Sequence, residues 1–335
     1  MTISKILLTS LLFLGLTSCL KSQNPLFPNS VVSNDIDFIL GTDPDSFVEV
    51  IFIGRDNRET PGAPNDGSLF DTDTFIFEAI FSDGEKMEIW CHSAFITEEA
   101  AAEYAEKLGP RLGKLPAFQR NMLNHVVIHN GDSTAFAEIE GQFFVLYSEN
   151  MDDRISTNDL EETVFHESVH ASYQFMYEDH PDWTSAQAAD LTFVTDYALN
   201  NPQLEDLAES ALFAYAYLMY PGRLSVDIED WLEENIPNRL EFFGAFYSIA
   251  TNVDDINNIE KLSIHPNPTN SRFTIQGIDK TVSNHIQVYD MYGKLLRSIE
   301  CSNQESLNID LSGFDNGLYF ISLAGHSTFR LLKFN

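Results

Sequence analysis

No proline or glycine interrupts residues 159–178, and inside that stretch stands His166-Glu167-Ser168-Val169-His170. Leu160, Val164, Val169, Tyr173 and Met176 recur through it at helical spacing, which predicts one helix running to about residue 177. Asn158, followed three residues later by Glu161, reads as its N-cap with a reciprocal partner. Positions four apart lie one above the other on a helix face, so His166 and His170 offer two imidazoles to one point with Glu167 beside them. Such a pair suits a zinc ion, and the intervening acid can reach a water on the metal. With 9 histidines in 335 residues, the five-residue pattern arises by chance in about 2% of such chains. The rest of the sequence must therefore supply a third ligand. The helix is expected to pack its apolar side on a core and to turn the histidine pair toward a cleft.

A catalytic zinc keeps three protein ligands and one open position. Glu205 and Glu209 are four apart on a helix expected to start near Leu204, after the break at Asn200-Asn201-Pro202. Glu205 is assigned to the metal and Glu209 to the free ring N–H of a zinc-bound histidine, with the reverse assignment left open. Asp206, about 100° round the helix, reads as a surface or capping group. Arg223 and Arg239 read either as anchors for a substrate carboxylate or as partners of neighbouring acids. His92, His125, His129 and His180 have no partner at useful spacing and stay outside the site.

HExxH on one helix and E-x-x-x-E on a later one resembles the gluzincin metallopeptidases. Glu205-Asp206-Leu207-Ala208-Glu209 is most similar to their lethal-factor-type branch, and the resemblance covers about residues 157–220. It implies zinc bound by His166, His170 and Glu205, a peptide or protein substrate, and Glu167 as general base and later proton donor to the leaving amine. It also implies Tyr197 as a hydrogen-bond donor to the tetrahedral oxyanion, although Tyr197 stands one residue off the spacing of that branch. The alternative is a non-catalytic zinc-binding surface protein on a metalloprotease-like fold, motivated by an N-terminal half that resembles no family and by the spacing of Tyr197.

Fifty-one acidic and 19 basic residues leave a net charge of −32 and no basic footprint, which sets nucleic-acid binding aside. Lys5 precedes an apolar run at 6–16 that is too short for a membrane span and right for the core of a secretory signal, assigned to 1–19. Leu16-Thr17-Ser18-Cys19 resembles a lipobox, so a lipid anchor at Cys19 and ordinary cleavage nearby are both open. No later run of 18 apolar residues occurs, and no membrane span is expected. Cys91 and Cys301 fall in separate expected domains, which argues against a disulfide framework and against thiolate metal ligands.

The organisation read from the chain is a tether at 20–35, an α+β domain at 36–250, a polar linker at 251–260 and a strand-rich segment at 261–335. Strands are predicted at 47–53, 74–81, 86–90, 126–129 and 142–147. A helix is expected to open at Thr97-Glu98-Glu99 and to stop at Gly109-Pro110, and 186–199 reads as largely helical. Asp66, Asp71 and Asp73 read as a solvated loop. Trp231 with Phe242, Phe243 and Phe246 is expected to close the domain. Pro266-Asn267-Pro268-Thr269-Asn270, Val288-Tyr289-Asp290-Met291-Tyr292-Gly293 and Gly317-Leu318-Tyr319 closely resemble the type A sorting domain of type IX secretion, departing at positions such as His265. That resemblance implies a small all-β sandwich, engagement of the type IX secretion machinery, and a secreted or outer-surface location in a Gram-negative bacterium. A lipobox is unusual beside such a domain, which weighs against lipidation at Cys19. The expected fold class is α+β, a zincin-like metallopeptidase domain followed by that sandwich.

Overall fold

The computed structural model describes residues 24–64, 70–139, 141–251, 263–267, 269–278, 284–290, 294–323 and 327–333. The expected signal with Cys19, Asp66, linker residues 252–260, Pro268 and Met291-Tyr292-Gly293 lie outside the described residues.

The first part is a mixed sheet with helices. Strands β1 (Phe47–Glu59), β2 (Phe70–Phe81) and β3 (Lys86–Cys91) pair antiparallel in chain order. Helices α1 (Glu98–Lys114) and α2 (Ala117–Arg120) then cross to β4 (His125–His129), which lies parallel to β3. Next come β5 (Phe136–Glu138) and β6 (Phe143–Tyr147), and β6 inserts between β4 and β5 to give the order β1-β2-β3-β4-β6-β5. The central strands are covered on both faces, as their unbroken apolar runs require: Val126 and Ile128 face one core, Val127 and Val145 another.

Several boundaries differ from the sequence reading. The short strand β5 was not predicted. Helix α1 does not stop at Gly109-Pro110 but continues to Lys114 with Leu108 and Leu112 buried. The two glycines let it lie against the start of β1: an added Cβ at Gly109 meets the Phe47 ring at 2.4 Å, and one at Gly113 meets the Phe47 backbone nitrogen at 2.6 Å. Tertiary burial therefore outweighs the local stop signal. Gly113→Ala gains about 1 kcal/mol of helix propensity. It must displace backbone to do so, at about 1–3 kcal/mol, so a net fall in thermal stability is expected in a melting experiment. Asp71 is not in a solvated loop; it is buried in β2, where its carboxylate accepts from Thr74 Oγ1 and from Ser93 N and Oγ.

Helix α3 (Ser148–Thr157), absent from the sequence reading, precedes α4 (Leu160–Val169). Asn158 ends α3 at φ 61° and is not the N-cap of α4. Asparagine is among the few residues that tolerate the left-handed region, so the same side chain can mark either end of a helix. Asp159 takes the cap position, and Glu161 faces Arg111 (3.3 Å) and Lys114 (3.2 Å). The uninterrupted helix expected to about 177 is broken in register: α4 passes into a π-helical turn at His170–Gln174 and ends as α5 (Phe175–Tyr177).

The stretch 186–199 is not one helix either. α6 (Pro181–Ala189) and α7 (Asp196–Asn200) are separated by the non-helical residues 190–195, which other parts of the chain hold. Leu26 N and Phe27 N both donate to Val194 O, and the Asp190 carboxylate accepts from Asn238 N and Arg239 N. α8 (Asp206–Met219), α9 (Val226–Asn235) and α10 (Pro237–Thr251) complete this part. α4 sits at its centre, packed by α1, α3, α8, β5 and β6 and buried on nearly every face. The one-sided burial expected of it is thus overturned, because α8 and the N-terminal segment cover its polar side.

Beyond residue 262, β7 (Ser263–His265), β8 (Arg272–Gln276), β9 (Asn284–Asp290), β10 (Leu295–Cys301), β11 (Ser306–Asp310), β12 (Gly317–Leu323) and β13 (Ser327–Lys333) form two sheets, β11-β8-β7 and β10-β9-β12-β13. Phe273, Ile275, Val288, Ile309, Ile321 and Leu331 fill the space between them. Phe320 points the other way, as strand alternation demands, and packs on Phe175 at 5.9 Å between ring centroids. The protein is therefore α+β with a small all-β C-terminal part. Cys91 and Cys301 are both buried free thiols. Among the described residues no helix is long and apolar enough to cross a membrane.

Candidate metal centre

α4 and the start of the π-helical turn stack His166 over His170 and bring their Nε2 atoms to 3.0 Å. Glu205, at the N-cap of α8, adds Oε2 at 3.5 Å from His166 Nε2 and 3.3 Å from His170 Nε2. Two ligands 2.0–2.1 Å from a tetrahedral ion stand about 3.3 Å apart. The three edges of this triangle match that spacing, so the donors present fit a zinc ion. Their chemistry agrees: two imidazole nitrogens and one carboxylate, with no thiolate. Among the described residues, these three form a group whose candidate ligand atoms all lie within 4.8 Å of one another.

The groups behind the triangle fix its geometry. Gln174, missed in the sequence, sits within the π-helical turn. Its Oε1 is 2.5 Å from His170 Nδ1, and its Nε2 donates to Leu204 O at 2.9 Å. An Nδ1–H donated to Gln174 leaves the Nε2 lone pair facing the triangle. Gln174 thus joins His170 to the residue before Glu205. The spacing His170-x-x-x-Gln174 was visible, but the carbonyl that makes it useful comes from the turn before α8. Glu209 lies on the opposite side, fully buried, with Oε1 3.6 Å from His166 Nδ1. Its oxygens accept from Ser30 Oγ (2.5 Å), Val31 N (2.9 Å) and Thr195 Oγ1 (2.8 Å). Tyr197, on α7, donates its hydroxyl to Glu205 Oε1 at 2.9 Å.

Burial and charge act against each other here. Burial disfavours a charged His166, but Glu205, Glu209 and Glu167 around it prevail and raise its pKa to about 9. Burial would likewise raise Glu205; hydrogen bonds to His166 and His170 hold it well below the usual carboxylate range instead. For Glu167 burial dominates, and its carboxyl is pushed up despite the two imidazoles. Burial, then the Glu205 carboxylate, raises Tyr197, which stays protonated as a donor. The imidazoles are 4% and 9% exposed, whereas Tyr197 is 40% exposed and marks the open side.

Asp206 is not a surface group. It is fully buried against Arg239, which also pairs with Asp190. Arg223 binds Asp43 through both terminal nitrogens, at 2.5 and 2.6 Å. Both arginines therefore follow the ion-pair reading. His92 and His129 stack on each other at 4.8 Å and are not among the three converging residues.

Residues 263–334 match the family described as the secretion system C-terminal sorting domain. No curated protein matches the chain. The C-terminal part is accordingly a type IX sorting signal that engages that secretion machinery, and the protein is secreted or displayed on the cell surface.

Proposed function

We propose that this exported chain is a zinc-dependent metallopeptidase with a zincin-like fold and a gluzincin-type site. The convergence of His166 Nε2, His170 Nε2 and Glu205 Oε2 carries the reading. These three residues would hold the ion, which supplies a Lewis acid and a water of near-neutral pKa. Glu167, its carboxyl pushed up by burial, takes a proton from the attacking water and returns it to the leaving amine. Gln174 keeps His170 in the tautomer whose Nε2 lone pair faces the site. Tyr197 stands at the open side with a protonated hydroxyl and turns from Glu205 Oε1 to the developing oxyanion. Tyr197→Phe is expected to lower kcat about 10²–10³-fold, with zinc content unchanged by metal analysis.

The deciding experiment measures zinc content and cleavage of a broad peptide library, with and without a chelator. About one zinc per chain is expected, with cleavage lost to the chelator and restored by zinc. A chain that cannot be loaded with metal overturns the reading. The near-complete burial of both imidazoles favours a second reading, a zinc-binding surface protein without turnover. A loaded chain that leaves every library peptide intact would support that one.

A further inference from the structure

We infer that the N-terminal strap, residues 24–40, is a working part of this centre, with Ser30 and the Val31 amide as positioning groups for Glu209. The inference rests on the metal-site reading above. Glu209 has no exposed surface, and two of its three donors come from the strap, 178 and 179 residues earlier in the chain. Ser30 Oγ donates to Oε1, the same oxygen that faces His166 Nδ1 at 3.6 Å. His166 Nδ1 is buried without a hydrogen-bond partner, so the position of this one oxygen decides whether that ring nitrogen is supported. A carboxylate free to rotate in its pocket would support it less well than one held from both ends.

The strap is fastened along its length. Leu26 N and Phe27 N donate to Val194 O, Asp196 N donates to Phe27 O at 2.8 Å, and Arg154 donates to Val32 O. Ile39 N donates to Glu162 Oε1 at 2.9 Å, while Phe27 and Phe38 pack on Phe213 of α8. These contacts tie the strap to α4 and α8, the two helices that carry the candidate ligands. A mature chain trimmed past Ser30 would lose a support of His166 together with the clamp between those helices.

Groups behind a metal-bound histidine are worth about 10–100-fold in metal affinity. The test uses the full chain and measures zinc affinity by competition with a chromophoric chelator, alongside melting of the metal-free protein. Ser30→Ala and Ser30→Gly are expected to weaken zinc about 10-fold or more, and Ser30→Thr, which keeps the hydroxyl, to restore it. A purely structural serine would lower the metal-free melting temperature without moving the affinity. Wild-type affinity in both hydroxyl-free variants overturns the inference and leaves the metal site standing. A wild-type chain that takes up no zinc overturns the site itself.

Discussion

Glu167→Gln is expected to leave about one zinc per chain bound while lowering peptide hydrolysis about 10²–10⁴-fold. The amide has nearly the same shape as the acid, so the packing of α4 should be unchanged. What it loses is the ability to take and return a proton. Burial already disfavours the charged form of Glu167, so the neutral amide should cost no folding stability. Metal analysis, melting and single-turnover cleavage of a library-selected peptide check the three parts separately. Retained activity would mean that another group handles the proton. Lost zinc would mean that Glu167 itself holds the metal.

Arg239→Ala is expected to produce the largest loss of stability. Its guanidinium joins α10 to Asp190 and to Asp206 at the start of α8, with hydrogen bonds of 2.9–3.0 Å and another to Thr192 O. Removing it strands two buried carboxylates, a defect worth about 3–5 kcal/mol. Total stabilities are only about 5–15 kcal/mol. In a domain this size, a fall in Tm of about 6–20 °C follows. The defect should shrink on acidification. An unpaired buried carboxyl has a raised folded-state pKa, so it loses stability as pH rises and regains it when protonated. Melting at pH 5 and pH 8 tests this, and a pH-independent loss below about 1 kcal/mol would show that water solvates the pair. Asp206 adjoins Glu205, so zinc affinity should fall with it.

The residues that meet at the centre were legible because their chemistry is written in local spacing. His166 and His170 are one helical turn apart, as are Glu205 and Glu209, and each pair must share a face wherever its helix lies. The strands of the sheet showed through apolar runs and alternation, and those of the sorting domain through alternation and short turn motifs. Errors came where one local signal serves two structures. Asn158 can cap a helix start or end one in the left-handed region; Gly109-Pro110 reads as a stop until Phe47 is laid against it. Residues 190–195 have helix-compatible neighbours, yet Leu26, Phe27 and Arg239 hold them out of a helix.

The sequence by itself offered the candidate donors, the spacing within each pair and the C-terminal sorting signal, since each is written in residues near one another in the chain, but it left Glu205 and Glu209 interchangeable. Only the tertiary structure decided that Gln174 orients His170, that Asp206 is buried against Arg239, and that Ser30 and Val31 hold Glu209. The physical reason is common to all three. A polar group's role depends on which partner satisfies it once water is excluded, and here that partner lies 30, 33 or nearly 180 residues away.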